Sequence, residues 1–181
     1  MKKSLIFSGS GGQGVVSAGM MTAKAAVEGG KYATFLPEYG PEQRGGSAKC
    51  TVVIDDEPVI SPLAQKCDVL VCMNEQAFSK FKDRLREGGV LLLNSNRVTS
   101  PVDRGDVEVI SLPVDDIALE IGSPKTANIV IIGALIGATN IITEAEFLDS
   151  LKKKFASKPP VIMEMNTVAL KRGIEYGRKY L

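Results

Sequence analysis

The sequence has 181 residues, 22 of them basic and 21 acidic, for a net charge of +1; 44% are hydrophobic and 24% charged. That is the balance of a globular domain of ordinary size with enough apolar material for a substantial core, and so small a net charge gives no field for recruiting nucleic acid or an anionic membrane. The chain has no histidine, which removes Ser-His and Cys-His nucleophile pairs, a histidine general base and histidine metal ligands, so chemistry performed by this chain alone is narrow in scope.

Met1-Lys2-Lys3-Ser4 leads directly into Leu5-Ile6-Phe7, an apolar run too short for a signal-peptide core and followed by no small-residue cleavage site, so a cytoplasmic protein is expected. The run reads as a first buried strand and is followed by the glycine loop Gly9-Ser10-Gly11-Gly12-Gln13-Gly14. Residues 15–27, rich in Ala and Met, suit a helix packed closely on a sheet and stopped by Gly29-Gly30. Residues 32–36 read as a second strand. Next comes Pro37-Glu38-Tyr39-Gly40-Pro41-Glu42-Gln43-Arg44-Gly45-Gly46. Glycine and proline fix turns, so this segment reads as a shaped loop presenting Glu38, Tyr39, Glu42 and Arg44. Residues 48–54 and 58–60 read as a hairpin around Asp55-Asp56, its second arm an edge strand because Pro58 has no backbone donor.

Residues 69–73 read as another buried strand. Asn74 can cap a following helix that carries Phe78, Phe81 and Leu85 inward and stops at Gly88-Gly89. Residues 90–93 and 107–112 give two more strands around a polar, turn-rich stretch, 94–106. The last third turns helical, starting from Ser123-Pro124. Gly133 and Gly137 share a helix face and permit close packing; the apolar run around them falls short of the ~20 residues that span a bilayer, so this GxxxG is read as soluble packing. Thr143-Glu144-Ala145-Glu146 is a capping box ahead of Phe147, Leu148, Leu151 and Phe155. A last helix follows Pro159-Pro160. The fold class is therefore α/β: one domain over residues 1–181, three-layer α/β/α, with a Rossmann-like mixed β-sheet and an inserted hairpin.

Gly9, Gly11 and Gly14 match GxGxxG in the strand–loop–helix context where backbone N–H groups can receive a pyrophosphate. The acidic residue that should end the second strand is displaced, with Glu38 beyond its expected place, so a tight turn that merely lets helix and sheet pack closely is the competing reading. In residues 37–46, Arg44 can make a planar two-pronged contact with a carboxylate, a phosphate or a neighbouring subunit. The alternative is an internal pair with Glu38 or Glu42, worth only about 0–1 kcal/mol when exposed. Gly45-Gly46 suggests that another backbone comes close. Asp55-Asp56 and Asp115-Asp116 lack the companion ligands of a metal site and suit turn and capping roles. Cys50, Cys67 and Cys72 form no CxxC pair; buried packing suits them, and three thiols do not supply a four-thiolate cluster.

With both glycine segments read, the chain resembles the gamma subunit of 2-oxoacid:ferredoxin (acceptor) oxidoreductases. The match is carried by Gly9, Gly11, Gly12, Gln13 and Gly14, by Tyr39, Gly40, Glu42, Arg44, Gly45 and Gly46, by the Asp-Val-Leu-Val strand from Asp68, and by Asn128 opening Asn-Ile-Val-Ile-Ile-Gly. The resemblance implies a subunit that assembles with alpha, beta and delta (ferredoxin-like) subunits, with thiamine diphosphate, Mg²⁺ and [4Fe-4S] clusters carried by those partners. The implied reaction is coenzyme A-dependent oxidative decarboxylation of a 2-oxoacid to an acyl-CoA, with ferredoxin as electron acceptor. The 37–46 segment is more similar to 2-oxoglutarate and branched-chain members than to pyruvate members, which favours 2-oxoglutarate. On this reading the glycine loop contacts coenzyme A or a partner subunit, and the isolated chain could form a homodimer. A stand-alone nucleotide- or dinucleotide-binding protein is the alternative.

Overall fold

The computed structural model describes residues 1–42 and 45–179. Six strands form one mixed sheet in the order β2-β3-β1-β4-β5-β6. They are β1 (Lys3–Ser10), β2 (Tyr32–Tyr39), β3 (Ser47–Asp55), β4 (Cys67–Cys72), β5 (Leu85–Asn94) and β6 (Glu108–Leu112). β1, β4, β5 and β6 run parallel, whereas β3 lies antiparallel between β1 and β2.

The helices are α1 (Val15–Glu28), α2 (Glu75–Phe81), α3 (Val114–Ile121), α4 (Ala127–Thr139), α5 (Glu144–Lys154) and α6 (Pro160–Arg178). Alternation along the strands sorts their side chains between two cores, because successive Cβ atoms point to opposite faces. Leu5, Phe7, Val52, Val71 and Leu92 pack with residues of α1, α3, α4, α5 and α6. Ile6, Leu70, Cys72, Leu91 and Leu93 pack on the other face with Ala77, Phe78 and Phe81 of α2 and with Val98.

α4 has no polar face: residues Ile129 to Ala138 are all buried. It lies between its neighbours with α6 pressed backbone to backbone against it. A Cβ on Gly133 would stand 2.3 Å from the Leu170 carbonyl oxygen, and one on Gly173 would stand 2.1 Å from that of Val130. Gly137 and Gly177 repeat the contact one turn on. This is the close packing expected of Gly133 and Gly137, its partner glycines lying on α6. The capping box is also present: Thr143 Oγ1 accepts from the Glu146 N–H, and the Glu146 carboxylate accepts from the Thr143 N–H at 2.6 Å.

Three expectations need correction. The inserted hairpin is β2–β3, not residues 48–60. Both sides of β3 are occupied, by β1 and β2, and residues 58–60 form no strand. Pro37, Glu38 and Tyr39 belong to β2, paired with Cys50, Lys49 and Ala48, so the loop between the arms is shorter than the 37–46 segment. Finally, the helix after Asn74 ends at Phe81, and Leu85 opens β5. The spacing of Phe78, Phe81 and Leu85 looks helical, but Leu85 is buried as the partner of Cys67. The glycines that were to stop the helix instead lie inside β5, where Gly88 has φ +71° near the register shift between β4 and β5.

Candidate functional site

The parallel strands end together on one rim, and a cleft of about 450 Å³ opens there. It is lined by the glycine loop after β1 (Gly12, Gln13, Gly14), by Met73 after β4, by Arg97 and Asp115, and by Lys125 and Asn128 near the start of α4. β4 leads into α2 on one face while β1 leads into α1 on the other, so the cleft sits near a topological switch point, where open α/β sheets bind ligands.

Local chemistry shapes the glycine loop. Gly12 and Gly14 have φ of +94° and +74°, a region costly to side chains with a Cβ. A Cβ on Gly14 would also press on Asn128 at 3.0 Å, so these two expected site residues lie side by side. Gln13 ties the loop down. Its Oε1 accepts from the Ser10 N–H at 2.7 Å and from Asn74 Nδ2 at 2.9 Å, while its Nε2 donates to the Met73 carbonyl at 3.1 Å. Asn74 caps α2 through the Ala77 N–H and donates to Ser10 Oγ. A Cβ on Gly9 would meet Gln13 Oε1 at 2.7 Å, which explains that glycine by packing alone.

α1 begins at Gly14 with no side-chain cap and no acidic residue in its first turn. Its N-terminal N–H groups and the positive end of its dipole are thus free of a local carboxylate and suit an anion. Two cations share the cleft. Arg97 is aimed by Asp115, whose carboxylate accepts from its Nε at 2.5 Å and from Asn94 Nδ2 at 3.2 Å. Lys125, which follows Pro124, also lines the cleft. Asn96 Oδ1 accepts from the backbone N–H groups of Asp115 and Asp116, which fixes the start of α3 against the 95–107 segment. Glu75 fastens the same segment by accepting from the Thr99 and Ser100 N–H groups; hydrogen bonds from Ser100 and Thr99 hold its carboxyl below the usual glutamate value.

The second glycine segment adjoins the first. The Gly11 N–H donates to the Gly46 carbonyl at 2.9 Å, so the close backbone approach expected at Gly45-Gly46 is made by the glycine loop of the same chain. The turn folds around Glu42: a Cβ on Gly46 would stand 2.8 Å from Glu42 Cβ, and one on Gly40 would stand 2.8 Å from its Oε2. Gly45 has φ +68°. Glu38 pairs across the strands with Lys49 at 2.6 Å. Tyr39 is exposed at the end of β2. Gln43 and Arg44 lie outside the described residues. Arg97, Asp115 and Lys125 were not among the expected site residues, since polar loop and helix-start positions carry no motif of their own. Asp115-Asp116 was read only as capping.

Other assignments narrow the chemistry. Cys50, Cys67 and Cys72 are buried, and burial pushes each thiol up to about 12. Among the described residues, no group of three or more His, Cys, Asp or Glu side chains could hold a metal ion, and no helix is long and apolar enough to cross a membrane.

The fold and the cleft together define a Rossmann-like α/β protein with an open crevice at the carboxyl ends of its parallel strands. The family model for pyruvate ferredoxin/flavodoxin oxidoreductase matches residues 4–176. A 2-oxoglutarate synthase subunit KorC from Methanocaldococcus jannaschii is 40% identical, over 99% of this chain and 96% of its own. A ketoisovalerate oxidoreductase subunit VorA from Methanothermobacter thermautotrophicus is 38% identical over 94% of this chain but only 35% of its own length. The crystal structure of a keto/oxoacid ferredoxin oxidoreductase gamma subunit from Geobacter sulfurreducens superposes with a TM-score of 0.86 at 31% identity, over 99% of this chain and 98% of that one. The chain belongs to the pyruvate ferredoxin/flavodoxin oxidoreductase family, as a gamma-type subunit.

Proposed function

We propose that residues 1–181 form the gamma-subunit domain of a 2-oxoacid:ferredoxin oxidoreductase and supply one wall of its coenzyme A site, helping the complex assemble around that site. The reaction is coenzyme A-dependent oxidative decarboxylation of a 2-oxoacid, with 2-oxoglutarate the favoured substrate and ferredoxin the electron acceptor. Thiamine diphosphate, Mg²⁺ and the [4Fe-4S] clusters belong on partner alpha, beta and delta subunits, and residues 1–181 work in the cytoplasm.

One observation carries the reading: the uncapped start of α1 opens into a cleft shared with Arg97 and Lys125. Coenzyme A brings phosphate groups and a long uncharged arm. Backbone N–H groups at Gly12 and Gly14, with the two cations, can receive the phosphates. Met73, Ala118 and Leu119 give the cleft apolar wall for the arm. Chain-local residues thus bind and orient, while bond-making chemistry resides on cofactors elsewhere.

The dinucleotide alternative is disfavoured by topology. Its ribose-binding acid would end a parallel strand beside β1, but the neighbour on that side is the antiparallel β3. Glu38 stands on β2, one strand further out and paired with Lys49. In the assembled complex, Lys125→Glu should raise the KM for coenzyme A by about 10-fold or more, the scale of a lost charged hydrogen bond. An unchanged KM would remove the cleft from the coenzyme A site. Calorimetry of the isolated chain decides the alternative, since micromolar binding of NAD or FAD would establish it.

A further inference from the structure

A second, smaller pocket of about 140 Å³ adjoins the cleft, and Lys125 and Asn128 line both spaces. Its other walls come from Met21 of α1, from Lys154 and Phe155 at the end of α5, and from Ile162, Met165 and Asn166 of α6. That volume is well under the roughly 300–1,000 Å³ of sites that enclose a whole ligand. The pocket suits one ring of a larger molecule whose remainder lies in the cleft.

Asn166 gives the pocket its chemistry. The residue is only 6% exposed, and its Nδ2 donates to the Ile162 carbonyl one turn back at 2.7 Å, which fixes the sense of the amide. Its Oδ1 accepts from none of the described residues and is not sealed inside protein, so it opens into the pocket that Asn166 lines. A buried amide oxygen in that position calls for a donor from a ligand. The rim supplies charge. Lys152 and Lys153 are held by Asp149 and Glu28, whereas Lys154 lies over the Phe155 ring, 5.9 Å from its centroid.

We propose that this pocket receives the adenine ring of coenzyme A, an inference that rests on the coenzyme A reading of the cleft. With the phosphates at the start of α1, the adenosine passes Lys125 and Asn128 into the pocket. The exocyclic amino group of adenine donates to Asn166 Oδ1, and the second Nδ2 hydrogen donates to a ring nitrogen, the paired contact by which asparagine recognises this base. Met21, Ile162 and Met165 supply apolar contact, and Phe155 offers a face for stacking. Lys125, common to both spaces, serves the pyrophosphate, and Lys154 is left for the 3′-phosphate on the ribose. A hypoxanthine ring carries a carbonyl oxygen where adenine carries its amino group. It would set one acceptor against another at Asn166 Oδ1, so the pocket selects adenine.

The test compares KM values in the reconstituted complex for coenzyme A, for its hypoxanthine analogue and for 4′-phosphopantetheine, which lacks the adenosine. With the unaltered chain, the hypoxanthine analogue should show a KM about 10-fold above that of coenzyme A, the scale of one good paired contact to a base. Met165→Trp, which fills the pocket from α6, should raise the KM for coenzyme A by about the same factor and leave kcat and the KM for 4′-phosphopantetheine unchanged. Lys154→Gln should raise the KM for coenzyme A but not for 3′-dephospho-coenzyme A. Arg97→Ala, in the cleft and not the pocket, should raise the KM for coenzyme A and 4′-phosphopantetheine alike. If Arg97→Ala acts and Met165→Trp does not, coenzyme A lies in the cleft with its adenine elsewhere, which overturns this inference alone. If neither acts, the coenzyme A reading falls with it. Equal KM values for coenzyme A and the hypoxanthine analogue would overturn the inference, as would a Met165→Trp effect of the same size on 4′-phosphopantetheine.

Discussion

Gly133→Ala isolates the α4–α6 contact. On an open helix face, Ala in place of Gly stabilises by about 1 kcal/mol through propensity. Here the new methyl would stand 2.3 Å from the Leu170 carbonyl oxygen and 2.9 Å from Gly173 Cα. Both are backbone atoms, so no side-chain rotation relieves the overlap, and the helices must separate. Overpacking of this kind costs about 1–3 kcal/mol, and rigid neighbours place it near the upper end. Subtracting the propensity gain leaves a net loss of about 2 kcal/mol. For a chain of this size that lowers Tm by about 4–8 °C. Thermal unfolding followed by circular dichroism measures it, with Gly105→Ala as a control at a site with nothing within 4 Å of the new Cβ. Gly133→Ala with Gly173→Ala should cost less than the sum of the single changes, because one separation of the helices accommodates both. A rise in Tm for Gly133→Ala would refute the close-contact reading.

Other outcomes follow from the same geometry. Gln13→Ala removes the bonds to Ser10, Met73 and Asn74 and should cost about 1–3 kcal/mol; denaturant unfolding measures the loss, and coenzyme A-dependent turnover of the complex should fall with it. Thr143→Ala breaks the capping box and should cost about 1 kcal/mol in the same assay. The three thiols should resist alkylation until the chain unfolds. Their folded pKa, raised from 9.0 to about 12, means they stabilise the fold fully below pH 9, a contribution lost as pH rises toward 12. Glu75 acts in the opposite sense. Its carboxyl is held below the ordinary 4.5, so its hold on Thr99 and Ser100 persists above that pH and is lost as pH falls below it. Amide exchange of the 95–107 segment at acid pH should show the loosening.

Much of the architecture was legible because the chain states it locally. The capping box, the Asn74 cap, the buried apolar runs and the glycine loop each follow from residues within a few positions of one another. Two features misled for a physical reason. Pro37 looked like the end of a strand, yet it sits in an edge strand, where its missing N–H faces outward and breaks no bond to β3. Leu85 fitted a helical period, but its place is decided by Cys67, far away in sequence. The site divides in the same way. Gly12, Gly14 and Asn128 were legible from motif and resemblance, and the structure sets Gly14 against Asn128. Arg97, Asp115 and Lys125 reach the cleft only through the convergence of three separate segments, which no local pattern announces. The contact between Gly11 and Gly46 was half legible: the glycines announced a close backbone approach without naming the partner.

The central claim is that this chain is a working part of a 2-oxoacid:ferredoxin oxidoreductase. The direct measurement is coenzyme A-dependent reduction of ferredoxin by the reconstituted complex, with 2-oxoglutarate, pyruvate and a branched-chain 2-oxoacid offered in turn, with and without this chain. Turnover that appears only when the chain is present, and is fastest with 2-oxoglutarate, is the expected result. A full rate from the partner subunits alone would contradict the account.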